Sequence, residues 1–344
     1  MTVISESSTY CYSGMAPGVL GGEYQGTDIT IDIEAVVSGY GIRFIPQKVT
    51  HIDPIRRVLT LGDRTEVSYD IVSFNIGSII PVDGLSLDSS RVLLAKPILN
   101  FLPMRSRVEA LLGEHPAARV VVAGGGPASL EIASNLCRLA ELNRRTLDVT
   151  IVSSGPLMPS LPRGARRSVL RNLKESGVRV MDQCRLHAVD DRRVRIQGGP
   201  DLEADLVVLA VGVRPQSLFN DSGLPTGVDG GLLVNRCLQS SVYPEIFGGG
   251  DCVTPEVGRF PRIGVVACRQ NPVITRNIMA ALENRSLSKF RLRRTYLQIF
   301  NLGRKRALMV MGRIWFSGRM AFRIKDAIDT RFIHRLRRSL SSVR

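Results

Sequence analysis

Short apolar runs alternate with stretches of helical spacing along the middle of the chain. Four runs rich in β-branched residues have the length of buried parallel strands, at residues 119–123, 148–152, 177–180 and 206–211. Apolar side chains recur at helical spacing in residues 130–145, and residues 168–176 predict a second, shorter helix. Strands that alternate with helices indicate βαβ units and a parallel sheet, so the pattern predicts an α/β fold.

The first hundred residues predict shorter strands, at residues 2–5, 41–45, 57–61, 70–76 and 79–81. A chain of 344 residues is too long for one ordinary core and favours two domains with an extension. No run of about 18 unbroken apolar residues occurs, so no spanning helix is expected. No C-x-x-C motif and no signal-like start are visible, and both observations predict a reducing, cytoplasmic setting.

The positive charge is concentrated near the end of the sequence. The chain has 46 Lys and Arg against 31 Asp and Glu, a net charge of +15. Residues 285–344 hold 17 basic and only 2 acidic residues, so this basic C-terminal module carries the whole imbalance. Such a segment suits nucleic acid, an anionic membrane surface or an acidic partner. No recognised nucleic-acid-binding motif accompanies the charge, so we expect no nucleic-acid partner.

The strongest local motif is a glycine-rich turn between a predicted strand and a predicted helix. Gly124, Gly126 and Ser129 follow the strand at residues 119–123 in the order G-x-G-x-x-S. Glycines allow a tight turn and close backbone approach to a pyrophosphate, and the helix N-terminus supplies free N–H groups. The motif in this strand–turn–helix context predicts a dinucleotide site, the alternative being an ordinary glycine turn.

The end of the next strand bears on which dinucleotide would bind. An NAD site normally places an acidic residue there for the ribose 2′-hydroxyl, but this strand ends in Ser153 and Ser154. Three arginines follow, at Arg163, Arg166 and Arg167. They are interpreted either as ligands for the 2′-phosphate of NADP or as solvated surface residues, so the choice between NADH and NADPH stays open.

Seven further segments carry a resemblance to one family. They lie at residues 12–18, 69–78, 95–97, 209–215, 245–251, 266–272 and 324–332. In this order around the glycine-rich turn, they resemble the pyridine nucleotide-disulfide oxidoreductase-like flavoproteins. The chain is most similar to the type II NADH dehydrogenase-like group, particularly the oxidoreductase module sometimes joined to selenide water dikinase. The similarity covers nearly the full sequence.

The resemblance implies a two-dinucleotide-binding-domain, Rossmann-like flavoprotein fold. Residues 1–96 and 217–284 would form the FAD domain, and residues 97–216 the NAD(P) domain. Electrons would pass from NADH or NADPH through FAD to a quinone or another acceptor, possible partners including a second copy of the chain. The alternative is a catalytically impaired or regulatory remnant that retains only the pyridine-nucleotide domain.

The resemblance also assigns candidate site residues. The residues that would contact FAD are Glu6, Ser13, Gly77, Gly250 and Asp251. The residues that would contact NAD(P) are Gly124, Gly126, Ser129, Glu131 and Gly212. Because the flavin performs the redox chemistry, no side chain is an obligatory catalyst, and Lys96, Glu131 and Gln270 are the candidates for a supporting role. The four histidines lack ligand spacing, so no metal site is expected.

The chain departs from the family pattern at its start. Residues 2–6 take the place of the family's second strand, with Glu6 in its acidic position, and the preceding strand, G-x-G-x-x-G loop and helix are absent from the sequence. We therefore expect an incomplete N-terminal FAD domain, from a truncated or mis-assigned start or in a protein that binds FAD poorly. Cys11 stands alone where disulfide reductases of this fold have two cysteines, so no dithiol relay is expected.

The basic C-terminal module predicts an amphipathic helix. Met320, Ile324, Ala327, Ile328 and Phe332 recur at near-helical spacing among arginines. Such a helix suits the interface of an anionic membrane, where a lipid-soluble quinone would be available at the cytoplasmic face. The alternative is that this apolar stripe packs on the protein's own FAD domain or on a second subunit.

Overall fold

The computed structural model describes residues 1–88 and 90–341, with side chains up to residue 337. The helices are α1 (Ala16–Leu20), α2 (Gly26–Ile29), α3 (Ile33–Gly39), α4 (Phe101–Glu114), α5 (Pro127–Leu142), α6 (Arg163–Glu175), α7 (Leu218–Asp221), α8 (Gly264–Leu282) and α9 (Arg319–Ser341). The strands up to the middle of the chain are β1 (Thr2–Ile4), β2 (Thr9–Cys11), β3 (Thr30–Asp32), β4 (Arg43–Ile45), β5 (Val49–Asp53), β6 (Val58–Leu61), β7 (Glu66–Ser68), β8 (Val72–Phe74), β9 (Ser86–Leu87), β10 (Val92–Leu94), β11 (Ala117–Ala123) and β12 (Thr146–Val152). The later strands are β13 (Arg179–Met181), β14 (Arg185–Asp190), β15 (Arg193–Gln197), β16 (Leu202–Glu203), β17 (Leu206–Leu209), β18 (Leu232–Val234), β19 (Ile246–Gly248), β20 (Val253–Pro255), β21 (Gln298–Asn301), β22 (Ala307–Met311) and β23 (Ile314–Gly318).

A five-stranded parallel sheet, in the order β10-β17-β11-β12-β13, forms the centre of the molecule. Its middle strands are apolar on both faces, and Val122, Ile151 and Val208 are fully buried. Helices α4 and α5 pack against it, which is the reason that its strands read as continuous β-branched runs. The prediction of a parallel α/β sheet is confirmed.

Strand β10 is an edge strand of this sheet, and the apolar pattern did not predict it. It pairs with β17 in the register Val92↔Val207, and it precedes residue 97, where the sequence analysis divides the two domains. The strand predicted at residues 79–81 is wrong. Among the described residues that segment makes only an isolated bridge between Ile79 and Arg214, because Pro81 has no N–H to extend a ladder.

The remaining strands of the nucleotide region form a mixed sheet in the order β16-β15-β14-β9. Strands β14, β15 and β16 are antiparallel, and β9 joins β14 in parallel. Strands β14, β15 and β16 form an excursion between β13 and β17 of the parallel sheet, whereas β9 precedes β10 in the chain. The short, partly polar strands of the mixed sheet explain why hydrophobic periodicity did not reveal it.

The region predicted to bind FAD is built from smaller units. Strand β1 pairs in parallel with β4, and β8 pairs in parallel with β19, and within residues 1–88 and 90–341 these ladders have two strands each. Strands β5, β6 and β7 form an antiparallel sheet. A second apolar core holds the region together, with Phe74 and Phe219 in edge-to-face contact at 5.3 Å between ring centroids.

The basic C-terminal module folds as the antiparallel sheet β21-β22-β23 followed by α9. It packs on α5, α3 and α6, and its buried Phe300, Leu308, Phe322 and Ile333 belong to the same apolar core as the parallel sheet. Of the helices that the structure describes, none is long and apolar enough to traverse a bilayer. The module is therefore an integral part of the folded protein.

Candidate functional site

The glycine-rich turn connects β11 to α5 as the sequence predicts. Gly124 has a φ of +136°, and a Cβ at this position would stand 2.2 Å from the carbonyl oxygen of Ala210. The same Cβ would lie 2.6 Å from Ser129 Oγ. Only glycine fits so close an approach with this backbone conformation, so Gly124 locks the turn against the end of β17.

Gly126 plays a different part in the same turn. It is the N-cap of α5, and no described atom lies within 4 Å of the position where its Cβ would stand. The first helical residue, Pro127, has no N–H, so the free N–H groups of the first turn belong to Ala128 and Ser129. A pyrophosphate can therefore approach the backbone at Gly126, which is the geometry expected of a dinucleotide site.

Ser129 and Gly212 are two further members of the predicted NAD(P)-binding set. Ser129 is fully buried, and its Oγ has no hydrogen-bond partner among the described atoms. Gly212 lies in the exposed turn after β17 with a φ of +104°. Because the N–H of Ala210 donates to the Ala123 carbonyl at 2.8 Å, the two glycine turns lie side by side at the carboxyl edge of the sheet.

A second cluster forms where three separate segments meet. Lys96 Nζ donates to Asp251 Oδ2 at 2.7 Å and to Ser78 Oγ at 2.8 Å, and Ser78 in turn donates to Asp251 Oδ2 at 2.8 Å. We call Ser78, Lys96 and Asp251 the flavin-side cluster, after the flavin that the sequence predicts beside Gly250 and Asp251. The Lys96 and Asp251 side chains are only 22% and 15% exposed, so the ion pair is partly shielded from water.

The turns that carry this cluster were predicted from the sequence. Gly77 and Gly250 have φ values of +67° and +73°, and each immediately precedes a member of the cluster. Lys96 follows β10, whose end is fixed by the Ala95 N–H bond to the Leu209 carbonyl at 3.0 Å. Ser78 was not predicted. Its place directly after Gly77 was the available signal, but only the fold reveals the contact with Asp251.

Gln270 contacts the turn that leads into the flavin-side cluster. Its side chain is fully buried in α8, and its Oε1 accepts a hydrogen bond from the Gly250 N–H at 2.7 Å. Its Nε2 has no hydrogen-bond partner within the described chain. An unsatisfied buried donor costs about 1–3 kcal/mol, so this amide is poised to donate to a bound group.

Glu6 and Ser13 lie outside the hydrogen bonds of the flavin-side cluster. Glu6 follows β1, is 64% exposed at its side chain, and pairs with Lys48 at 3.9 Å. Ser13 is exposed, and its Oγ stands 3.5 Å from the position of a Cβ on Gly264, at the start of α8. Their predicted contacts with FAD remain predictions.

Glu131 is placed against the basic C-terminal module. Its Oε1 accepts a hydrogen bond from the Asn301 N–H of β21 at 2.7 Å. Burial raises the pKa of Glu131 to about 7, against the opposing effects of nearby Lys325 and of the Asn301 hydrogen bond. The carboxyl group is therefore able to exchange a proton near neutral pH.

A buried polar network surrounds this carboxyl group. Lys325 and Asp329 of α9 are 4% and 5% exposed and form an ion pair, and Lys325 also donates to the Gly14 carbonyl. The Tyr12 hydroxyl donates to Asp329 Oδ1 at 2.9 Å, and burial together with this acceptor raises the pKa of Tyr12. The sequence pattern does not reveal the hydrogen bonds to Gly14 and from Tyr12, because they join residues more than 300 positions apart.

The sequence of the chain matches the pattern of one protein family. Residues 2–271 match the pyridine nucleotide-disulphide oxidoreductase family, and the chain belongs to it. It is 29% identical over 186 residues to the type II NADH:quinone oxidoreductase of Haemophilus influenzae, an alignment that covers 50% of this chain and 42% of that enzyme. The chain spans about half the length, or less, of the curated relatives that it matches first.

Solved structures share the fold at low sequence identity. The sulfide:quinone oxidoreductase of Aquifex aeolicus superposes with a TM-score of 0.82 at 18% identity, covering 98% of this chain and 85% of that one. NDH2 from Plasmodium falciparum in complex with NADH also gives 0.82, at 13% identity and with coverage of 98% and 92%. The two-dinucleotide-binding-domain fold is confirmed, and FAD and NAD(P)H are the cofactors of this oxidoreductase family.

Proposed function

We propose that the protein is an FAD-dependent NAD(P)H oxidoreductase that passes electrons to a quinone or a related acceptor. The observation that carries this proposal is the meeting of two predicted sites at one edge of the parallel sheet. The glycine-rich turn follows β11, and the segment bearing Lys96 follows β10, on the other side of β17. Ligands at the carboxyl ends of parallel strands in one sheet lie close together.

The residues present suit a bound flavin. FAD would supply the hydride- and electron-accepting ring, while the protein binds, orients and shields it. Asp251 would accept hydrogen bonds from the sugar-like chain of the cofactor, and Lys96 fixes that carboxylate in place. Gln270 would donate through the Nε2 atom that has no partner within the described residues, which removes the cost of leaving it unsatisfied.

A remnant that retains only the nucleotide-binding function is the alternative. The small two-stranded ladders β1·β4 and β8·β19 favour it, because they give the FAD region less backbone support than the five-stranded sheet gives the nucleotide region. The two functions differ in one measurable property. The enzyme oxidises NAD(P)H in the presence of FAD, whereas the remnant binds the nucleotide without turnover.

Oxidation of NADH and NADPH with a soluble quinone and added FAD tests the proposal. We expect FAD-dependent turnover in the wild type and none in Gly126→Val, whose branched side chain would fill the approach to the backbone. Gly113→Val is the matched control, since this exposed helical glycine also has no described atom near its Cβ position. Nucleotide binding without any turnover would favour the remnant instead.

The basic C-terminal module is proposed to contact an anionic membrane surface. Met320 and Ile328, from the predicted stripe on α9, are 59% and 47% exposed, and Ile314 on β23 is 71% exposed. The opposite face of α9 buries Phe322 and Ile333 in the protein core. The exposed part of the stripe is therefore available to a bilayer interface, where the surrounding arginines would favour anionic lipid.

One predicted stripe residue packs internally. The Phe332 ring lies 4.7 Å from the Tyr12 ring. This contact agrees with the alternative interpretation, in which the apolar stripe packs on the protein's own FAD domain. Because the module shares the protein core, deleting it would expose apolar surface and give an uninformative result. Point substitutions on the exposed stripe are the sharper test.

Vesicle co-sedimentation tests the membrane contact. We expect the wild type to bind anionic vesicles, to bind neutral ones less, and to be released by salt, because exposed charges are screened over about 8 Å at physiological ionic strength. The double variant Met320→Ser, Ile328→Ser should bind less than the control Ile55→Ser, which alters an 80% exposed residue of the FAD region. Equal binding of both variants would contradict the proposal.

A further inference from the structure

The segment after β12 is folded directly against the glycine-rich turn. The Met158 N–H donates to the Gly125 carbonyl at 2.8 Å, and a Cβ on Gly125 would stand 2.1 Å from Ser153 Oγ. Ser153 is 2% exposed, and its hydroxyl is committed to the Gly155 carbonyl at 2.7 Å. Ser154 beside it is exposed. The position from which a carboxylate would bind a ribose 2′-hydroxyl therefore carries two short neutral side chains.

A cavity of about 480 Å³ opens next to this segment. Pro156 forms one wall, and its carbonyl oxygen lies 3.6 Å from the Cβ position of Gly125, so the cavity adjoins the glycine-rich turn. Arg163, Arg166 and Arg167, from the first turns of α6, also line the cavity. We call this space the arginine cavity.

The three arginines are not equivalent. Arg166 donates through Nε to the Leu157 carbonyl at 2.7 Å and lies 3.3 Å from Asp182 Oδ2, so its position is fixed and its charge is balanced. The side chains of Arg163 and Arg167 have neither an ion pair nor a hydrogen bond to any residue that the structure describes. The arginine cavity therefore carries two uncompensated positive charges.

Arg163 occupies an unfavourable place, as the first residue of the helix. The N-terminus of α6 already bears partial positive charge from its free N–H groups, and its first turn contains no acidic residue. Like charges there oppose helix formation, which is a local conflict of the kind found at functional sites. An anion bound in the cavity would satisfy the arginines and the helix terminus together.

The far side of α6 is anchored to the basic C-terminal module. Gly164 packs against the Trp315 ring, with a Cβ position 2.8 Å from Cζ2, and Ser168 Oγ lies 3.0 Å from Ser317 Oγ. This contact holds the helix while Arg163 and Arg167 remain available to a ligand. A rigid support reduces the entropy lost when the guanidinium groups bind.

We propose that the arginine cavity binds the 2′-phosphate of NADPH, and that the protein thereby selects NADPH over NADH. The inference rests on the proposed dinucleotide site at Gly124 and Gly126. With the pyrophosphate at that turn, the adenosine ribose lies beyond the end of β12, beside the cavity. Arg163 and Arg167 donate to the phosphate, while Arg166, held by Asp182, shapes the wall.

Calorimetric titration with 2′,5′-ADP and 5′-AMP tests the inference without FAD or turnover. We expect the wild type to bind 2′,5′-ADP about tenfold or more tightly than 5′-AMP, since hydrogen bonds to charged groups contribute strongly. The double variant Arg163→Gln, Arg167→Gln should lose this preference while its affinity for 5′-AMP is unchanged. Arg171→Gln, on the same helix but outside the cavity wall, is the matched control and should behave as the wild type.

The possible failures are distinguishable. Equal affinity of the wild type for both probes, or a preference that survives in the double variant, would overturn NADPH selection and leave the dinucleotide site standing. Solvated surface arginines would give this result. If neither probe binds, or if binding persists in Gly126→Val, the proposed dinucleotide site itself fails and the inference fails with it.

Discussion

The glycine-rich turn after β11 and the flavin-side cluster both depend on glycine turns, but different amounts of structure support them. The first is held by consecutive elements, β11 and α5, in the middle of a five-stranded parallel sheet. The second joins Ser78, Lys96 and Asp251, up to 173 residues apart. Ser78 and Asp251 follow the two-stranded ladder β8·β19, and Lys96 follows β10 at the edge of the parallel sheet. One site is thus local and preformed, and the other depends on long-range assembly.

This difference shows where each site is vulnerable. A turn enclosed by a buried sheet tolerates little change in backbone shape, because protein interiors are close-packed. A cluster held by charged hydrogen bonds tolerates shape changes but depends on keeping both charges paired. Substitutions in the two regions should therefore fail in different ways.

The largest effect is expected at Gly126. Because a Cβ there meets no described atom, Gly126→Val should leave the fold intact and weaken nucleotide binding by about a hundredfold or more. Calorimetry with NADPH and thermal unfolding measure the two properties separately. A variant that binds like the wild type would show that the phosphate does not approach this glycine.

A substitution of Gly124, in contrast, should lower the stability of the fold. An alanine side chain would lie 2.2 Å from the Ala210 carbonyl oxygen in a backbone conformation that disfavours it, so Gly124→Ala should destabilise the protein by about 3 kcal/mol or more. Chemical denaturation measures this loss. Wild-type stability would mean that β11 and β17 separate more easily than their packing indicates.

These two glycines show how much the sequence could predict. The strand, the turn and the start of the helix depend on neighbouring residues, so the pattern alone located them. The cluster partner Ser78, and the hydrogen bonds of Asp329 with Tyr12 and of Lys325 with Gly14, depend on contacts between distant segments, which periodicity does not encode. The sequence correctly predicted an apolar stripe on α9. Only the structure shows that Met320 and Ile328 of this stripe are exposed while Phe332 packs against Tyr12.

Glu131 gives a smaller, pH-dependent effect at the border between the nucleotide region and the basic C-terminal module. Burial raises its pKa from 4.5 to about 7, so the folded protein binds this proton more tightly than the unfolded chain. Its contribution to stability is full below pH 4.5 and should be lost progressively as the pH rises through about 7.

Glu131→Gln isolates that contribution. The glutamine oxygen can still accept from the Asn301 N–H, but it does not ionise, so the variant's stability should depend less on pH in this window. Denaturation at several pH values, with Glu109→Gln on α4 as the control, measures the difference. Parallel pH profiles for Glu131→Gln and the wild type would refute the raised pKa.

The smallest effect concerns the flavin-side cluster. Asp251→Asn removes the charge that pairs with Lys96 and should weaken FAD binding by about tenfold, with little change in NADPH affinity. Fluorescence titration with FAD measures the first quantity, and calorimetry the second. Loss of both affinities together would mean that the two sites are not independent.

The most direct test of the comparison is the affinity of the flavin-free 344-residue chain for each cofactor. We expect one NADPH per chain to bind without FAD, because the five-stranded sheet and its glycine-rich turn are complete in themselves. FAD should bind more weakly and be lost on purification, because its region is built from smaller sheets around a separate apolar core, and its cluster depends on the Lys96–Asp251 pair. A chain that purifies with tightly bound stoichiometric flavin, or that binds NADPH only after FAD is added, would contradict this account.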